Sequence, residues 1–117
     1  MKNNIITLPK PPSINHMYGR SGHRTYITDD GNAWILEAGA MLNSQWKRRT
    51  PIEDEVSFYV KLYICGRGDI DNYNKALFDL FMKQGVIVDD SQIMFLQIEK
   101  IMVKHRKDQK VEVEIIN

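Results

Sequence analysis

The sequence predicts an α+β fold, a mixed β-sheet with two main helices packed on it. Three observations predict it. The segment 55–65, EVSFYVKLYIC, alternates Val56, Phe58, Val60, Leu62 and Ile64 against Ser57, Tyr59, Lys61 and Tyr63, the period of a central strand with one buried face. Two other stretches repeat their apolar residues at helical spacing. Strand and helix signals follow the order β, (β), α, β, α, β, β, which is neither all-helical nor regularly alternating. The chain has 117 residues, a length that fits one domain over 1–117 with a core that needs no disulfides.

Asn4 to Leu8, NIITL, reads as a short strand rich in β-branched residues. Three prolines, Pro9, Pro11 and Pro12, then forbid regular structure by fixing φ and removing donors. Residues 13–24 read as a polar loop holding His16 and His23. A short strand follows, then a helix with Thr28 as N-cap and Asp29 and Asp30 in its first turn. Its stripe is Trp34, Ala38, Met41, Leu42 and Gln45, widened by Ile35. Lys47, Arg48 and Arg49 are expected in the last turn, where cations suit the dipole, and Pro51 ends it. A second helix is expected over about 71–84, with Tyr73, Ala76, Leu77, Leu80 and Phe81 inward and Gly85 as its stop. VIVDDSQ reads as an extended piece and a turn. IMFLQIEKIMVK reads as a long strand, HRKDQ as a hairpin loop, and KVEVEII as a final amphipathic strand burying Val111, Val113 and Ile115.

Composition is ordinary for a globular protein, with 43% hydrophobic and 26% charged residues. One cysteine, Cys65, excludes a disulfide framework within the chain and suits a reducing compartment. The start, MKNNIITLPKPPS, carries no apolar run of signal-peptide length, and nothing approaches a membrane span. The expectation is a cytoplasmic protein with no membrane partner. Net charge is +1, but unevenly spread: +4 over residues 1–50, −4 over 53–90 and +3 over 91–110. Divalent cations held by the acidic middle would leave the chain clearly positive.

The acidic middle contains RGDIDNYNKALFDL, residues 67–80. Asp69 and Asp71, two apart, share a face only in an extended or turning segment, which GRGD just upstream allows. Asp71 is then expected at or near the helix N-cap, with Lys75 on the same face one turn along. Asp89 and Asp90 follow the helix, and a path of helix out and strand back is expected to bring position 90 towards position 70. Two like charges 4 Å apart repel by about 4 kcal/mol at an effective dielectric of 20, so converging carboxylates need a proton, Lys75 or a metal. A few oxygen ligands suit Mg²⁺ or Mn²⁺. An EF-hand is excluded because Tyr73 and Asn74 stand where a ligand and a glycine are required. Zinc is disfavoured because His16, His23, His105 and Cys65 lack ligand spacing. Taken alone, D-x-D-N is equally a capped turn with one Asp71–Lys75 ion pair, and Asp89–Asp90 a solvated turn.

The combination is more specific. GDIDNYNKALFDLFMKQGVIVDDSQI resembles the signature of the RusA family of Holliday-junction resolvases in Asp69, Asp71, Asn72, Lys75, Phe78, Asp79, Gly85, Asp89, Asp90 and Gln92. LPKPPSINHMY is similar to the family's opening in Pro9, Pro11, Pro12, Ser13 and Asn15. The resemblance implies an α+β homodimer that nicks four-way DNA junctions symmetrically with Mg²⁺ or Mn²⁺. It implies Asp69, Asp71 and Asp90 as metal-holding catalytic carboxylates, Lys75 as a catalytic charge-stabilising lysine, and Asp89 and Asn72 as supporting neighbours. Where some members are richer in arginine just before D-x-D, this chain has only Arg67 between two glycines, which bears on DNA affinity more than on chemistry.

Junction recognition is then expected through shape and phosphates. The candidate contacts are Arg20, Arg24, Lys47, Arg48, Arg49, Arg67 and Lys104. The strand ends and the helix bearing Trp34 and Trp46 are the expected dimer surface. Three other readings are a metal nuclease for another DNA structure, a non-catalytic branched-DNA-binding dimer, and a plain cation-binding or protein-interaction module. Substrate comparison separates the first; loss of an aspartate or Lys75 would mark the second, and none is lost; the third predicts no preference for branched DNA.

Overall fold

The computed structural model describes residues 4–48 and 50–117. The chain runs β1 (Asn4–Leu8), α1 (Ile14–Met17), β2 (Tyr18–Ser21), β3 (Arg24–Ile27), α2 (Asp29–Gln45), β4 (Val56–Ile64), α3 (Asn74–Lys83), β5 (Ile93–Met102) and β6 (Lys110–Ile116). Short 3-10 turns, Asp90–Gln92 and Arg106–Asp108, flank β5. The main sheet has the order β1-β6-β4-β5, and β2 and β3 form a separate hairpin. β4 and β5 are parallel, while β6 pairs antiparallel with both β4 and β1.

The alternation of β4 becomes burial. Val56, Phe58, Val60, Leu62 and Ile64 all enter the core, beside Val111, Val113 and Ile115 of β6 and Ile6 and Leu8 of β1. Trp34, Ala38 and Leu42 of α2 and Leu77, Leu80 and Phe81 of α3 belong to the same cluster. The Phe58 ring meets Phe78 and Phe81 at centroid separations of 5.9 and 5.3 Å. Two side chains tie the layers at their margins. Gln45 holds both backbone groups of Thr7, each at 2.8 Å, and the Trp34 indole donates to Pro9 O.

Thr28 caps α2, its Oγ1 accepting from Gly31 N at 3.0 Å, as its place before the first apolar turn predicts. The other end of α2 comes sooner than expected. The helix stops at Gln45 with Trp46 extended, so Lys47 and Arg48 lie beyond it. Lys47 Nζ still donates to Ser44 O at 2.7 Å, the service to terminal carbonyls that places cations there. Arg49 lies outside the described residues.

Further expectations change. The stretch 13–24 is not one loop: it holds α1 and most of the β2–β3 hairpin. α3 begins at Asn74, with Tyr73 in the cap position and no side-chain cap bond. Residues 70–73 instead form a turn, closed by Asn72 N donating to Asp69 O at 3.1 Å. Last, β5 and β6 are not a hairpin. β5 lies on the outer side of β4, and β6 inserts between β4 and β1. Alternation reports which face of a strand is buried and says nothing about its neighbours. Trp34 is also removed from the candidate dimer surface, because it is buried in the core.

Candidate active site

The loop from β4 to α3 carries Asp69 and Asp71, and its shape comes from two glycines. Gly66 has φ +86°, a conformation that glycine adopts without strain. A Cβ on Gly68 would lie 2.7 Å from the Tyr73 hydroxyl and 3.4 Å from Ile64, so the loop packs against its own helix entrance only because position 68 has no side chain. Lys100 Nζ of β5 donates to Gly68 O at 3.0 Å, which fixes the loop near the C-terminal end of β5. Asp69 and Asp71 are exposed. They enter no side-chain hydrogen bond or ion pair among the described residues.

The proline-rich opening packs on this loop. Ile14 N donates to Asn72 O at 2.9 Å. Lys10 Nζ lies 5.0 Å from the Tyr73 ring centre and donates to Pro11 O at 3.2 Å. Burial holds the Lys10 ammonium below the usual lysine value. The two segments together wall an open groove lined by Lys10, His16, Arg67, Arg106, Asn72 and Tyr73, among others. Through its backbone, Asn72 bridges the opening and the acidic turn.

Lys75 does not pair with Asp71. Its Nζ lies 2.8 Å from Asp79 Oδ2, one turn further along α3, and 4.3 Å from the centre of the Tyr18 ring. Asp79 Oδ2 also accepts from the Tyr18 hydroxyl. Burial, with the Asp79 hydrogen bond next, pushes the Tyr18 phenol well above its ordinary value. The late start of α3 explains the change of partner: Asp71 lies outside the helix, so the i,i+4 relation passes to Asp79. That spacing was open to sequence reading; the part of Tyr18 had no sequence signal.

The turn after α3 is built by Gln92. Its Oε1 accepts from Val88 N and Asp89 N at 2.7 and 2.8 Å. Its Nε2 donates to Ile52 O and Asp54 O at 2.6 and 2.9 Å. Asp89 closes the capping box, accepting from Ser91 N at 3.1 Å, and these bonds to Ser91 hold its carboxyl below the usual carboxylate range. Asp90 is left exposed, with no side-chain partner among the described residues.

Asp90 does not reach Asp69 and Asp71 within one chain. Because β4 and β5 are parallel, Ile93 lies beside Val56 and Met102 beside Ile64. The turn with Asp90 therefore sits at the start of β4, and the loop with Asp69 and Asp71 at its end. α3 runs between the two ends, and its ten residues span about 15 Å. Tyr73 meets Gly68 near Ile64, whereas Phe81 meets Phe58 near the other end. The expected return of position 90 towards position 70 fails because an α crossover into a parallel strand begins that strand beside the start of its neighbour. Among the described residues no three His, Cys, Asp or Glu are grouped closely enough to hold a metal ion. Asp69 and Asp71 suit a hard cation in kind, but one chain falls short of the expected three-carboxylate set.

The basic candidates scatter. Arg67 lines the groove. Arg20 and Arg24 are exposed on the β2–β3 hairpin. Lys104 is exposed just past β5, its carbonyl facing Cys65 Sγ at 3.4 Å. Lys47 and Arg48 follow the far end of α2, whose N-terminal Asp30 borders the groove; seventeen residues put them roughly 25 Å away. Lys10, His16 and Arg106, which line the groove, were not among the DNA contacts expected from the sequence, because sequence position does not say which segments the fold brings to one groove.

No helix among the described residues is long and apolar enough to cross a membrane. The family model described as Endodeoxyribonuclease RusA matches residues 9–116. Curated relatives include a "Crossover junction endodeoxyribonuclease RusA" of Escherichia coli strain K12, 31% identical over 104 residues covering 84% of this chain and 82% of the relative. That of Enterobacteria phage 82 is 33% identical and that of Shigella sonnei strain Ss046 32%, each over the same shares.

Proposed function

The chain belongs to the RusA endodeoxyribonuclease family, and on that premise we propose that it resolves four-way DNA junctions, hydrolysing a phosphodiester in each of two strands. The observation that carries this reading is the family match over residues 9–116, with relatives named as crossover junction endodeoxyribonucleases. The working form proposed is a homodimer, whose two-fold axis suits two symmetric nicks. The cofactor proposed is Mg²⁺, with Mn²⁺ as its substitute.

Asp69, Asp71 and Asp90 are the proposed carboxylate ligands, and Asp69 and Asp71 supply two of them from one loop. A bound divalent ion polarises a phosphoryl oxygen and lowers the pKa of bound water. The protein's own part is positional and electrostatic. Lys75, steered by Asp79 and Tyr18, presents a point charge for the oxyanion that develops on cleavage. Lys10, Arg67 and Arg106 line the groove beside Gly68 and Asn72 and give a DNA strand a cationic path next to the loop that carries Asp69 and Asp71. Such contacts position DNA without reading bases.

Cleavage of a labelled four-way junction in Mg²⁺, beside linear duplex of the same sequence, tests the reading. Paired symmetric nicks in the junction, abolished in Asp71→Asn, are expected. Equal cutting of both substrates sinks junction specificity, and tight binding without cleavage sinks the enzyme.

A further inference from the structure

The β2–β3 hairpin stands apart from the main sheet, and its base is tied down. Thr28 N, just past β3, donates to Met17 O, just before β2, at 3.1 Å. At the first pair, Tyr18 turns inward to Asp79 and meets Lys75 with its ring. Beyond that pair the ribbon leaves the protein. All four residues of β3 are exposed, as are Arg20 and Ser21 of β2. Between Tyr18 and Ile27 the chain carries two arginines and no acidic residue.

One face of this ribbon is built around an aromatic ring. Directly opposed residues of an antiparallel pair share a face, and successive residues alternate. Gly19 opposes Tyr26 and Ser21 opposes Arg24, so these four share the face turned away from that of Tyr18 and Ile27. A Cβ on Gly19 would collide with the Tyr26 ring. The ring therefore lies across the partner strand, over the residue that leaves it room, and half of Tyr26 stays exposed. An exposed ring beside an arginine, on a ribbon without carboxylates, suits nucleic acid: the ring takes a base face and the arginine a phosphate.

We infer that Tyr26 is the platform by which the protein recognises the branch point of its DNA, its ring stacking on a base at the crossover. The inference rests on the junction reading above. Inside a duplex arm every base pair is covered on both sides, and a protruding tyrosine finds no base face. Where four arms meet, the last pair of each open arm lacks a neighbour on its outer side, and this is the face the ring covers. Stacking needs no particular base, so the platform reads branching and not sequence. Its position agrees. His16 and Asp30, shortly before and after the hairpin, both line the groove beside Asn72, so DNA laid in that groove meets the hairpin at the rim. Tyr26 lies one pair beyond Tyr18, whose ring faces the Lys75 ammonium, so a crossover held on Tyr26 comes close to the lysine.

Binding in EDTA, followed by fluorescence anisotropy, tests this on a four-way junction beside linear duplex. Tyr26→Trp keeps an aromatic face and is expected to keep junction affinity. Tyr26→Val keeps strand propensity but has no flat face. Its junction affinity is expected to fall about 5- to 100-fold, the worth of one stacked base, with duplex affinity unchanged. A junction whose crossover-flanking bases are replaced by abasic nucleotides removes the other half of the stack. On it, wild type and Tyr26→Val are expected to bind alike, whereas damage to the hairpin itself would persist. A difference that persists there overturns the platform. So does an equal loss on junction and duplex, or no loss on either, and a wild type that still prefers the junction then leaves the junction reading standing. A wild type with no preference for junction over duplex sinks that reading, and the platform with it.

Discussion

Lys75 is held by Asp79 and not by Asp71: its ammonium lies 2.8 Å from the Asp79 carboxylate, on the first turn of α3, over the Tyr18 ring. The lysine that follows the acidic loop in sequence is therefore aimed by an acidic residue and an aromatic one, neither of them hydrogen-bonded to the proposed ligands. Both partners of the pair are substantially exposed, so its worth in stability is small, about 0.3–0.5 kcal/mol. Asp79→Asn is expected to leave urea stability within that margin and to lower single-turnover junction cleavage by roughly 10–100-fold through misplacement of the lysine. Unchanged cleavage would remove Asp79 from any part in the reaction.

Gln92 is the fastener of the Asp90 turn. All four polar positions of its carboxamide that the turn uses are engaged, two accepting and two donating. Gln92→Ala leaves the part-buried Ile52 carbonyl without its partner, while the other three groups are exposed and turn to water, and is expected to cost about 1 kcal/mol. Gln92→Glu keeps the acceptor but sets a carboxylate oxygen against the carbonyls of Ile52 and Asp54, and is expected to be at least as damaging. Urea unfolding of the three proteins measures both. If Gln92→Glu matches the wild type, the donating half of the clamp carries no weight.

Much of this was legible in the chain. The β4 and β6 faces, the Thr28 cap and the inward stripe of α3 follow from local periodicity and capping chemistry, which tertiary contacts reinforced. What was not legible is relational. Nothing in KVEVEII says that it will lie between β4 and β1. Nothing in Tyr18 says that it will meet Lys75. Asp71 reads as a helix cap until the turn closed by Asn72 and Asp69 delays the helix by three residues. Asp90 reads as a neighbour of Asp69 until the parallel pairing of β4 and β5 sends it to the other end of the sheet.

Acid sensitivity has a local contributor at Asp89. Its folded pKa is depressed by the bonds to Ser91. A depressed carboxylate adds stability above its unfolded pKa, about 3.9, and loses it as pH falls through the lower folded value. The acid limb of the wild-type stability curve is therefore expected to fall more steeply below that unfolded value than the limb of Asp89→Asn, which can still cap but cannot titrate. Urea midpoints measured between pH 2 and 6 decide it, and parallel limbs would show that the cap carries no proton linkage.

The groove predicts which cations touch DNA. Lys10 and Arg106 face the same opening as Asn72, whereas Lys47 donates to the Ser44 carbonyl at the far end of α2 and Arg48 to the Thr50 carbonyl in the segment beyond it. Each phosphate contact adds about 0.9 to the slope of log affinity against log salt on duplex arms. Lys10→Ala with Arg106→Ala is therefore expected to weaken junction binding at low salt and to flatten that slope by nearly two. Lys47→Ala with Arg48→Ala is expected to leave both unchanged. The binding is measured by fluorescence anisotropy in EDTA, so that cleavage plays no part. A slope that responds to the second pair and not the first would move the DNA path from the groove to the end of α2, and with it the side from which the strand meets Asp69 and Asp71.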